Sequence, residues 1–109
     1  MTLPDPHAQL RTVRESLAMA ARPADEQLER LPGGAAEQLR HIHEDIAHLA
    51  PGLRAAGVID GEAFRRLAAF DRHHEALLED EAVWSDSALL DDPRWEESRS
   101  LASAALAAL

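Results

Sequence analysis

Five of the six histidines, His41, His43, His48, His73 and His74, fall between positions 41 and 74. Imidazole is the side chain that both ligates zinc or iron and changes charge near neutral pH. His41, Asp45 and His48 recur at spacings of four and three, so one helix side carries all three. An antiparallel pairing of two helices turned near Val58 and Ile59 places His43 opposite His74, because facing residue numbers then total roughly 117. Two imidazoles and a carboxylate can hold a metal ion. Bundle metal sites, however, draw paired ligands from HExxH or Glu-x-x-His spacings, and neither occurs in this sequence. His43 and His74 are therefore metal candidates by residue type alone, and the expectation is no metal and no cofactor. Two facing histidines also resist double protonation, which predicts stability that falls as pH drops through about 6.

Catalytic constellations are absent at the level of spacing. Serine, histidine and aspartate are all present, but there is no nucleophile elbow and no glycine-rich phosphate loop. Asp91 with Asp92, and Glu96 with Glu97, are sequence neighbours suited to complementing a helix dipole rather than to sharing a proton. The chain reads as a non-enzyme.

Residues 79–97, EDEAVWSDSALLDDPRWEE, gather acids around Trp84 and Trp95. Tryptophan is favoured at interface centres, and an acidic rim steers a basic partner. Trp84, Asp86, Asp91, Asp92 and Trp95 are accordingly the candidate partner-binding residues. The competing reading has both indoles capping the core between the last two helices, with the acids solvated.

Charge narrows the partner classes. The chain has 11 basic residues, all arginine, against 20 acidic ones, a formal net charge of −9. Phosphate backbones and anionic membranes are bound through cationic patches, so nucleic acid and membrane surfaces are disfavoured and a basic or apolar protein is favoured. Residues 53–70 superficially resemble a helix-turn-helix, but acids outnumber arginines seven to three between positions 60 and 82. A recognition helix carries the opposite balance.

The elements that must position these residues are helices. Tyrosine is absent, phenylalanine and tryptophan contribute two residues each, and the 109 residues suffice for one modest core, a single domain over 1–109. Leu10, Val13 and Leu17 predict a first amphipathic helix over 7–21, opened by Pro6. A short second helix follows Pro23, carries Leu28 and Leu31, and ends at Pro32, Gly33 and Gly34. Leu39, Ile42, Ile46, Leu49 and Leu53 form the clearest stripe, interrupted by Pro51, where a kink or a separate last turn is expected. Gly57 suits a helix end and Asp60 a helix start. The fourth helix is predicted over 61–82, burying Phe64, Leu67, Phe70, Leu77 and Leu78. An acidic turn over 85–92 then leads to a last helix opened by Asp92 and Pro93, burying Trp95, Leu101, Ala102, Ala105, Leu106 and Leu109. The fold class is all-α, a small bundle of four to five helices with a central antiparallel hairpin.

With no cysteine, disulfides and thiolate metal sites are ruled out. No secretory signal pattern and no membrane-spanning run are read, which points to the cytoplasm. The segments HLAPGLRAAGVID and VWSDSALLDDPRWEESRSLASAALAAL resemble small uncharacterised all-helical proteins of high-GC actinobacteria over residues 43–109. That resemblance implies a helical fold and transfers no activity and no functional residue. The favoured expectation is a non-enzymatic interaction domain of immunity or partner-binding type. The alternative is a self-associating or small-ligand-binding bundle, with the Ala-rich last helix completing its burial in a homodimer.

Overall fold

The computed structural model describes residues 5–109, over which the chain is all-helical with no strand. Six α-helices and one 3-10 turn follow in order: α1 Pro6–Ala21, α2 Ala24–Arg30, α3 Ala35–Ala55, α4 Gly61–Leu77, the 3-10 turn Glu81–Val83, α5 Asp86–Asp91 and α6 Pro93–Ala107. The expected count of four to five is thus exceeded. No helix among the described residues is long and apolar enough to cross a membrane.

Helix starts are set by short acceptor side chains. Asp5 accepts from the His7 amide at 3.0 Å, Asp60 from Ala63 at 2.8 Å and Asp92 from Arg94 at 2.9 Å. Each satisfies an amide that the first turn leaves without a partner. The end of α3 is a Schellman motif: Val58 N–H donates to the Leu53 carbonyl at 3.2 Å and Gly57 N–H to Arg54 at 3.1 Å. Gly57 takes φ 75°, a conformation that costs any side chain with a Cβ.

Two local expectations, a restart of α3 after Pro51 and an α4 reaching Ala82, fail for identifiable reasons. Helix α3 runs unbroken through Pro51 rather than restarting. The proline removes one hydrogen bond, but Leu53 beyond it is fully buried and the Schellman motif fastens the last turn, so packing overrides the local penalty. Helix α4 stops at Leu77, five residues short of Ala82. Its end tightens through Glu79 N–H to Ala76 O and Asp80 N–H to Leu77 O. The Asp80 carboxylate then captures the Ala82 amide at 3.0 Å to start the 3-10 turn. Leu78, expected in the core, is consequently 40% exposed.

The four long helices form a closed ring of neighbours: α1 packs on α3 and α6, and α4 packs on both of those. Their apolar stripes enclose two core clusters. One is almost wholly aliphatic and includes Leu10, Val13, Leu17, Ile46, Leu53, Leu67 and Phe70. The other gathers Ala35, Ala36, Leu39, Leu77, Val83, Leu89 and Trp95 under the 78–92 connection. Gln27, fully buried on α2, fastens that helix to the end of α1 by donating to the Met19 and Ala20 carbonyls at 3.1 Å each.

Candidate functional site

The 78–92 connection is built from consecutive caps. After the Asp80 turn, Ser85 accepts from the Ala88 amide at 3.0 Å and starts α5, where the sequence suggests only a turn. Six residues of helix fit there because Leu89 drops into the second core cluster. Asp92 closes α5 and opens α6.

Arg94 locks the two ends of this connection together. Its guanidinium reaches Asp92 at 2.7 Å and Asp80 at 3.0 Å. Hydrogen bonds from the Arg94 side chain and backbone hold the Asp92 carboxyl down to about 2, and Asp92 and Asp80 together raise Arg94 further above its ordinary value. Asp92 is therefore structural, whereas Asp86 and Asp91 are exposed.

The two indoles part company. Trp95 is 1% exposed and donates Nε1–H to the Val83 carbonyl at 2.7 Å, so it belongs to the core and not to any contact surface. Trp84 is half-buried, donates to Leu77 O at 3.0 Å and meets Trp95 edge-to-face at 5.3 Å. The Arg40 guanidinium of α3 lies 5.8 Å from its ring centroid. Buried indole N–H groups need acceptors, and both take backbone carbonyls of the tight turns around 77–83, Trp84 sharing the Leu77 carbonyl with the Asp80 amide.

The large hydrophobic residues exposed among the described ones are Leu78 and Leu90, the latter 53% open. Both lie in the 78–92 connection, beside the exposed acids Glu79, Glu81, Asp86 and Asp91. Sequence reasoning missed this pair. Leu78 sits in helical register with Phe70 and Leu77, and only the Asp80 turn takes it out of the core.

Against the inner side of this corner lie the histidines. His43 and His74 are 2% and 3% exposed, with ring centroids 4.3 Å apart. His43 packs on Phe70 at 4.2 Å and lies 6.3 Å from Trp95, while His74 meets Trp84 edge-on at 5.6 Å. The pair thus occupies the seam between the two core clusters. None of their four ring nitrogens finds a hydrogen-bond partner. Burial first, then the neighbouring His74 and His73, push His43 down to about 3. His74 is also lowered, chiefly by burial, with Arg40 and His73 acting in the same direction and Glu44 and Glu75 against it.

Two of the remaining histidines are engaged locally. His73 Nε2 lies 2.8 Å from the Arg94 carbonyl and its Nδ1 3.9 Å from Glu97. His41 lies 3.7 Å from Glu44. No group of three potential metal ligands assembles among the described residues, so His43 and His74 meet without a third ligand.

Helix α6 buries Ala102 and Ala105 fully, as its apolar side predicts, and packs on both α1 and α4. No family model matches the chain, and no curated protein or solved structure matches it either.

Proposed function

We propose that this chain is a non-enzymatic protein-binding domain whose contact surface is the 78–92 connection. The observation that carries this reading is the coincidence of Leu78 and Leu90 with Trp84 and an acidic surround in one short segment. Isolated exposed leucines are ordinary, but paired apolar anchors beside an amphipathic indole and unpaired acids suit a partner that is apolar at its centre and basic at its edge. The net charge of −9 favours the same partner class.

Relative to the expectation from sequence, Trp95 and Asp92 leave the contact set, and Leu78 and Leu90 enter it beside Trp84, Asp86 and Asp91. The Arg94 clamp onto Asp80 and Asp92 presets the segment, which lowers the ordering cost of docking. We further read α3 and α4 as an antiparallel hairpin. His43 opposes His74 and Ile46 shares a groove with Asp71, a shift of three residues in opposite directions along the two helices.

The test is immobilisation of the tagged chain in an extract of its native host, beside a Leu78→Ser/Leu90→Ser double variant with an unchanged far-UV spectrum. A basic protein retained in stoichiometric amount by the parent and lost by the variant is expected. Equal retention by both, or no stoichiometric partner, overturns the reading. Light scattering on the same preparation is expected to show a monomer, because the exposed face of α6, with Glu96, Glu97, Ser100, Ser103 and Ala107, offers no large apolar side chain for a second copy.

A further inference from the structure

On a different part of the molecule, a half-open groove lies between α3 and α4, lined by Ile46, Ala47, Ala50, Pro51, Phe64, Leu67, Ala68 and Asp71. None of these residues belongs to the 78–92 connection. The floor is apolar, from Ile46 and Leu67 in the core to half-buried Phe64. Asp71 is the one ionisable residue of the lining, and no described cation forms an ion pair with it. Arg65 and Arg66, on the same helix, are both committed to Glu62, at 2.6 and 2.8 Å. Pro51 has no N–H, so the carbonyl of Ala47 in the same lining lacks its normal helical donor. The polar part of the groove therefore offers acceptors and negative charge, with no donor.

We propose that this groove is a binding site for a small amphipathic amine, its ammonium held by Asp71 and its apolar stem lying along Leu67 towards Phe64 and Pro51. Length supports a linear stem: Asp71 and Phe64 are two helical turns apart on α4, about 10 Å, the reach of a chain of roughly six to eight carbons. Charge selects the head group, since a carboxylate or phosphate entering the groove would meet Asp71 and find no donor. Size and surroundings exclude a protein partner. A stable protein interface needs about 800 Å² per side around large apolar anchors, and the exposed anchors of this chain, Leu78 and Leu90, do not line the groove.

The test is a ¹H–¹⁵N titration of the whole chain at pH 7 with hexylammonium chloride, against 1-hexanol and sodium hexanoate at matched ionic strength. Saturable shifts clustered in residues 46–51 and 64–71 are expected with the amine. Hexanol should bind about fivefold more weakly, the value of a charge-assisted hydrogen bond reduced for a half-open site, and hexanoate more weakly still. Asp71→Asn should lower amine affinity to that of hexanol, and Ala68→Leu, which fills the groove, should abolish binding of both. Equal binding of amine and alcohol, shifts spread outside the groove, or no saturable shift in the parent chain overturns the proposal whether or not either variant folds.

Discussion

The two core clusters solve the same packing problem with different side chains. At the aliphatic end, Leu10, Val13, Leu17, Leu53 and Leu67 fill the space between α1, α3 and α4, and the α3–α4 turn is closed by a backbone motif with its amides satisfied. At the other end, two indoles pack among Leu39, Leu77, Val83 and Leu89, and at its seam with the first cluster lie two imidazoles whose nitrogens find no partner. Four unpartnered buried nitrogens are costly, since each desolvated polar group without a hydrogen bond opposes folding. The histidine pair makes this end sensitive to pH, whereas the aliphatic cluster holds no titratable side chain.

Truncation should expose the largest contrast. Leu67→Ala in the aliphatic end is expected to cost about 3 kcal/mol, and Trp95→Ala in the aromatic end about 4 kcal/mol, by urea unfolding followed with far-UV circular dichroism. Both should lower a single cooperative transition. A biphasic curve for the Trp95 variant alone would show that the two ends unfold as separate units.

Acid should separate the ends more cleanly. His43 is held near 3 in the fold against an ordinary 6.5, so the unfolded chain takes up protons first, and stability present above pH 6.5 is lost as pH falls towards 3. Between pH 7 and pH 5 this amounts to about 2 kcal/mol for His43, with a smaller addition from His74, whose shift Glu44 and Glu75 oppose. Asp92, held near 2, titrates below this window. Urea unfolding at the two pH values measures the loss, and His43→Phe should remove most of it. A parent chain equally stable at both pH values would refute the seam as the pH-responsive element.

The smallest effect lies at the opposite turn. Gly57→Ala should cost about 1 kcal/mol through its φ of 75°, by the same amount at pH 7 and pH 5. A cost that varied with pH would couple the two ends.

These regions were unequally legible in the sequence. Around the aliphatic end, local chemistry and tertiary packing agree: Asp60 and Gly57 mark their boundaries, and the stripe from Leu39 to Leu53 faces inward. Pro51 is the exception, since burial of Leu53 outweighs a lost hydrogen bond. The meeting of His43 with His74 was readable too, because helix pairing fixes facing positions once the turn is located. Over residues 78–92 the signals conflict. Leu77 and Leu78 continue a helical register that the Asp80 carboxylate interrupts, α5 rests on the Ser85 cap and on burial of Leu89 in the second cluster, and the different fates of Trp84 and Trp95 depend on carbonyls of those turns. Arg94, which fastens the segment, has partners on both sides of it that no periodicity announces.

The perpendicular indoles at 5.3 Å have an optical consequence. They are the chain's two tryptophans, tyrosine is absent, and one of them touches His74. Tryptophan emission thus comes only from beside the histidine seam, and an imidazolium formed next to an indole quenches it by accepting an electron. The protein carries its own lamp at the end that acid should loosen, while the aliphatic end holds no indole.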